Sequence, residues 1–167
     1  MKKVLFVFGT RPEAIKMCPL IIKMKMQKEI ECKICLTGQH KEMLKQVMDT
    51  FDLKEDYNLN IMKVKQSITG ITVSILQGID EILDIEKPNF VFVHGDTTTS
   101  FVAALAAFYK KISVCHIEAG LRTNDKYSPY PEEMNRRLIS QIADIHFAPT
   151  KLNKDNLLKG NVKENVY

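Results

Sequence analysis

Apolar residues along this chain follow two spacings, and the spacings alternate. Val4-Leu5-Phe6-Val7-Phe8 is an unbroken run, whereas Ile68, Ile71, Ile75, Ile79 and Leu83 recur every three or four positions. Short unbroken runs suit strands buried on both faces, and the wider spacing suits amphipathic helices. On this pattern, strands are predicted at 3–8, 32–37, 90–93, 112–116 and 144–148. Helices are predicted over 12–27, 40–51, 67–85, 131–143 and 150–159, with an alanine-rich helix opening near Thr97. The expected buried faces are Ile15, Cys18, Ile22 and Met26 in the first helix, and Met43, Leu44, Val47 and Met48 in the second. Residues 52–66 read as a connector with Tyr57, Leu59 and Ile61 available to pack. Strand–helix alternation of this kind predicts an α/β fold with a doubly wound parallel sheet. Val166-Tyr167 reads as a strand cut short, so the chain is expected to be part of something longer.

The centre of this pattern is Phe90-Val91-Phe92-Val93, which stops at His94-Gly95-Asp96 before the alanine-rich helix. A buried strand ending this way delivers polar groups to the carboxyl edge of the sheet, where open α/β folds bind ligands. Asp is also a preferred N-cap, which gives Asp96 a structural role of its own.

The composition is that of an ordinary globular protein: 167 residues, 45% hydrophobic and 26% charged, enough for one domain. No apolar run is long enough to cross a bilayer, and Met1-Lys2-Lys3 lacks the long apolar segment and cleavage site of a leader, so a cytoplasmic location is expected. A net charge of +4 is too mild and dispersed for nucleic acid. Cys32 and Cys35 resemble a metal or redox pair, but residues three apart on a strand point to opposite faces. Buried, reduced thiols are expected for them and for Cys18 and Cys115.

The other strand ends carry the candidate chemistry. Gly9-Thr10-Arg11-Pro12-Glu13-Ala14-Ile15-Lys16 opens a helix whose free N–H groups suit an anion, with Arg11 and Lys16 as phosphate contacts. Thr10 and Glu13 read as a capping box. Gly-x-Gly-x-x-Gly is missing, which argues against a nicotinamide cofactor. Gln39 and His40 follow the second strand as ligand contacts. Glu118 follows the fifth apolar run, and Arg122 could pair with it or hold a loop. In Pro131-Glu132-Glu133, Glu132 is expected to aim inward and Glu133 outward. Asp96, Glu118 and Glu132 would then share one crevice with Arg11, Lys16 and Arg136, a set suited to proton transfer on a phosphate-bearing substrate. No carboxylate spacing specifies a metal cage.

Five segments stand in order: the Gly9–Lys16 stretch, Gly38-Gln39-His40, His94-Gly95-Asp96-Thr97-Thr98-Thr99, His116-Ile117-Glu118-Ala119-Gly120-Leu121-Arg122-Thr123 and Tyr127-Ser128-Pro129-Tyr130-Pro131-Glu132-Glu133-Met134-Asn135-Arg136. Together they closely resemble the non-hydrolysing UDP-N-acetylglucosamine 2-epimerases of bacteria and archaea. The resemblance covers the whole chain but only the first of that family's two domains. It implies a Rossmann-like N-terminal half of a GT-B fold, residues 1–167, with the C-terminal UDP-binding domain lying outside the chain. It also implies interconversion of UDP-N-acetylglucosamine and UDP-N-acetylmannosamine through elimination of UDP to 2-acetamidoglucal, with no cofactor or metal. By the same resemblance Asp96, Glu118, Glu132 and Lys16 are catalytic, and Arg11, Arg136, His94, Gln39, His40 and Arg122 bind substrate. Gln39 also matches an activator site for a second UDP-N-acetylglucosamine in bacterial members. A homodimer serving cell-envelope polysaccharide synthesis is implied for the complete protein, with no membrane partner, and this chain by itself is expected to be inactive. Hydrolysing relatives, or a non-catalytic sugar-nucleotide-binding or dimerising module, are the alternatives.

Overall fold

The computed structural model describes residues 1–38, 41–61 and 66–167. Six strands form one parallel sheet in the order β3-β2-β1-β4-β5-β6. They are β1 (Lys2–Phe8), β2 (Ile30–Leu36), β3 (Tyr57–Asn58), β4 (Phe90–His94), β5 (Ser113–Ile117) and β6 (Ile145–Phe147). The helices are α1 (Arg11–Lys25), α2 (Lys41–Thr50), α3 (Ile68–Glu86), α4 (Thr98–Tyr109), α5 (Glu132–Ile142) and α6 (Lys151–Lys159). The doubly wound parallel sheet expected from the alternation is therefore present.

Residues on the central strands alternate between two cores. Leu5, Val7, Val91 and Val93 pack under α3 and α4, whereas Val4, Phe6, Phe8 and Phe92 pack under α1 and α2. Phe6 and Phe92 stack across β1 and β4 with ring centroids 4.9 Å apart. Cys35 belongs to the first core and Cys32 packs on the second, so the two sulfurs do face opposite ways. The strand order reverses between β1 and β4, and the carboxyl ends there open the crevice in which such sheets take ligands.

Four expectations need correction. First, α1 buries Ala14, Met17, Cys18 and Ile21, while Ile15, Ile22 and Met26 are 46%, 36% and 71% exposed. The helix carries apolar residues on both faces, and the inward anchoring of Glu13 at its first turn sets the rotation. Second, residues 57–58 of the connector pair with β2, because Tyr57 and Asn58 lie in register with Cys35 and Leu36. Third, Met43 of α2 and Ile68 of α3 lie on the solvent side, 44% and 42% exposed. Fourth, Asp96 caps nothing: Thr97 is the N-cap of α4, its side chain accepting from Ser100 N–H at 3.1 Å. The terminal segment does continue the sheet, with Val166 bridging His146 in parallel. Among the described residues no helix is long and apolar enough to cross a membrane.

Candidate active site

Three strand ends build the site, and tight turns bring them together. At the end of β1 the chain passes so close to β2 that a side chain on Gly9 would meet the Thr37 hydroxyl at 2.0 Å. The turn leads into α1, where Glu13 is 2% exposed. Its Oε2 accepts from the Gly9 and Thr10 N–H groups at 2.9 and 2.7 Å and from the Thr10 hydroxyl at 2.8 Å. Its Oε1 accepts from the Thr97 hydroxyl at 2.7 Å, with Ser100 Oγ 3.1 Å away. One buried carboxylate thus ties the start of α1 to the start of α4. The capping role expected of Glu13 is real but incomplete, because half of its partners lie 84 or more positions away.

β4 ends at His94, turns through Gly95 and presents Asp96 to the crevice. Asp96 Oδ2 lies 2.5 Å from an Arg136 guanidinium nitrogen, and the Asn135 amide donates to the Asp96 carbonyl at 2.9 Å. These contacts pin α5 across the β4–α4 turn. Arg136 itself is 4% exposed and reaches Glu133 at 3.4 Å on its other side. Burial pushes the Asp96 carboxyl above the ordinary carboxylate range; Arg136 pulls it down, and Glu132 and Glu118 push it further up. A carboxyl raised in this way holds and releases protons closer to neutral pH.

Glu118 follows β5 in the left-handed region, φ 60°, a conformation that non-glycine residues adopt at a cost and that clusters at functional sites. Its Oε2 accepts from the Lys16 ammonium and lies 2.7 Å from His94 Nε2, without the alignment of a hydrogen bond. His94 is held below the ordinary imidazole range, chiefly by burial. Two residues on, Gly120 has φ 93° and comes so near the Asn153 backbone that no side chain fits, which seats this loop on α6.

Asp96, Glu118, Lys16, His94, Arg136 and Glu13 line one cleft of about 260 Å³. Of the other candidates, Glu132 is half-buried at the first turn of α5, near enough to act on Asp96 but not on the cleft wall. The inward acid of that pair is Glu133, not exposed at all, which accepts from Thr123 N–H at 3.1 Å and from Arg137 Nε at 2.7 Å. The expectation that it points outward is wrong, because the loop before α5 folds back over it. Arg122 does not reach the cleft either. It donates to the Leu121 carbonyl at 2.8 Å and to Ser140 Oγ at 2.9 Å, and lines a separate cavity between α5 and α6. Arg11 is exposed at the first position of α1, outside the cleft lining. Gln39 and His40 lie outside the described residues.

Fold and site together define the class. This is the Rossmann-like N-terminal half of a GT-B fold, with an acid–cation cleft at its switch point. Acinetobacter baumannii MurG shares the fold over 91% of this chain, with a TM-score of 0.68 at 11% identity. The family model described as UDP-N-acetylglucosamine 2-epimerase matches residues 22–167, and the chain belongs to that family. It is 62% identical over 164 residues to the UDP-N-acetylglucosamine 2-epimerase of Salmonella borreze, covering 98% of this chain and 43% of that protein. A crystal structure of UDP-GlcNAc 2-epimerase from Neisseria meningitidis, bound to UDP-GlcNAc, superposes with a TM-score of 0.95 at 55% identity over 98% of this chain and 44% of that one. The chain thus spans about two fifths of the length of these relatives.

Proposed function

We propose that this chain is the N-terminal half of an enzyme that interconverts UDP-N-acetylglucosamine and UDP-N-acetylmannosamine, and that a C-terminal domain outside it supplies most of the uridine pocket. The observation that carries this reading is the pairing at the switch point. Neighbouring strand ends present two acids, each beside a cation, to one cleft, in a chain 62% identical to a named epimerase.

The chemistry asks for that pairing. The hydrogen on sugar C2 is barely acidic, so a base removes it only if the departing diphosphate is stabilised at the same moment. Asp96 and Glu118 are the acid–base groups on the cleft wall in this reading, and Glu132 joins them from beside Asp96. Lys16 and Arg11 meet the diphosphate from α1, and Arg136 holds Asp96 in place. The same reading makes the full-length protein a cytoplasmic homodimer that serves cell-envelope polysaccharide synthesis, by family resemblance.

The test is proton NMR of the full-length protein with UDP-N-acetylglucosamine in deuterium oxide. Deuterium should enter at C2 as UDP-N-acetylmannosamine forms, and Glu118→Gln should slow both by roughly 10²–10⁴-fold. Full-length protein that neither exchanges C2 nor forms the second sugar nucleotide sinks the proposal. The 167-residue chain alone should show no turnover.

A further inference from the structure

One oxygen of Glu118 serves two bases. Oε2 accepts from the Lys16 ammonium and also faces His94 Nε2 at 2.7 Å. The two bases differ in freedom. Lys16 sits on α1 with its side chain 50% exposed, whereas His94 is 6% exposed and built into the end of a central strand. Lys16 also lines the cleft near the first turn of α1, where an incoming anion would meet it. We propose that His94 is the standby partner of Glu118: when a diphosphate draws Lys16 away, His94 takes one proton from solvent and keeps the carboxylate paired. The identity of the diphosphate rests on the epimerase reading, but the exchange of partners does not.

The charges around His94 set the direction. From α1 it feels Glu13 and Lys16, and from the end of β5 it feels Glu118. His116 of β5 lies behind it, itself neutral, pushed down to about 3 by burial and hydrogen-bonded to the Gly95 carbonyl. With Lys16 in place, burial and the ammonium keep His94 neutral, against the pull of two carboxylates. Withdrawing Lys16 removes the repulsion and leaves Glu118 without its mobile cation. Both changes raise the proton affinity of the imidazole. The ring then takes up one proton and becomes an imidazolium whose Nε2–H faces Glu118, Glu118 remains a carboxylate, and the ion pair changes hands. When the diphosphate leaves, Lys16 returns and the proton goes back to solvent. His94 in this scheme touches no reacting atom; it positions Glu118 and fixes its charge.

Linkage makes the scheme measurable. If binding is coupled to uptake of a proton, affinity for the diphosphate weakens as pH rises from the free-state to the bound-state pKa of His94, by up to tenfold per pH unit. Two measurements on the full-length protein decide it. In the first, the His94 ring resonance is followed against pH by NMR, assigned by its loss in His94→Gln or by through-bond correlation from the His94 backbone. Lys16→Met, without any ligand, should move the titration to higher pH. An unchanged titration overturns the inference whatever the protein binds. In the second, calorimetry of UDP-N-acetylglucosamine binding in buffers of different ionisation enthalpy counts protons. The wild type should take up as much as one proton more than His94→Gln, and equal uptake overturns the inference. If UDP-N-acetylglucosamine fails to bind at all, the epimerase reading falls, while the Lys16→Met titration still judges the exchange of partners.

Discussion

Two charged clusters occupy opposite ends of the same sheet, and they are built in opposite senses. Toward the amino ends, Glu86 closes α3 at 8% exposure, with Lys3 Nζ at 2.8 Å, the Tyr57 hydroxyl at 2.5 Å and Lys33 Nζ at 3.9 Å. At the carboxyl ends, among the described residues, Asp96 pairs with one cation, Arg136, while two further acids, Glu132 and Glu118, act against it. Burial works to raise both carboxyls. Around Glu86 the hydrogen bonds from Lys3 and Tyr57 and the charge of Lys33 outweigh it, and the group ends below its ordinary value. Around Asp96 the single guanidinium does not, and the group ends above. Surplus donors around one acid lock a structure together. Surplus acids around one cation leave a carboxyl ready to exchange its proton.

The largest effect expected from this contrast is on turnover. In the full-length protein, Asp96→Asn should lower kcat by roughly 10²–10⁴-fold, the span of a lost general acid or base. Glu86→Gln, at a site more closed to water and richer in donors, should leave kcat close to the wild-type value. Steady-state kinetics of the two variants checks this. Turnover that survives Asp96→Asn and is abolished by Glu86→Gln would reverse the assignment of the two clusters.

Much of this contrast is legible in the amino-acid sequence. Runs such as Phe90-Val91-Phe92-Val93 place the strand ends, because a strand buried on both faces leaves nothing but apolar residues between two polar boundaries. Asp96, Glu118, Lys16 and Arg136 then converge because a parallel sheet puts all its carboxyl ends on one edge. Decisions made by contacts distant in sequence stay hidden. The rotation of α1 depends on Glu13 reaching Thr97 and Ser100, so periodicity favours Ile15 and Ile22 over Ala14 and Ile21. The capping of α4 could fall to Asp96 or Thr97, and only the pull of Arg136 on Asp96 separates them. Glu132 and Glu133 are adjacent acids in one first turn, and the fold-back of Thr123 onto Glu133 chooses which is buried. β3, only two residues long, has no period to read. The Arg122 side chain escapes prediction because its partner Ser140 lies on a helix 18 positions away.

A smaller effect concerns stability. Glu86→Gln keeps the shape of the side chain but removes the charge that Lys3 and Lys33 share, at a site closed to water. Hydrogen bonds to charged groups contribute about 1.5–3 kcal/mol, so a loss of about 2 kcal/mol is expected. For a chain of 167 residues that lowers the thermal midpoint by roughly 4–8 °C. Lys45→Ala, which removes an exposed pair with Asp49 at 3.4 Å, should shift it by far less. Calorimetric melting of both variants gives the comparison, and equal midpoints would mean that the Glu86 cluster is no firmer than a surface pair.

The smallest effect is the most discriminating, because the two clusters should respond to acid with opposite signs. Glu86 has a folded pKa below its ordinary value of 4.5, so its contribution is present above 4.5 and is lost as pH falls through the lower, folded value. Asp96 has a folded pKa above its ordinary value of 3.8, so ionising it costs the folded state something at neutral pH. That cost disappears as pH falls through the raised value toward 3.8. Urea unfolding across this range should therefore show the wild type losing its advantage over Glu86→Gln on acidification while gaining relative to Asp96→Asn. Differences that drift in the same direction would show that the two acids share one electrostatic setting, and the distinction between a locked edge and a working edge would then have to rest on turnover alone.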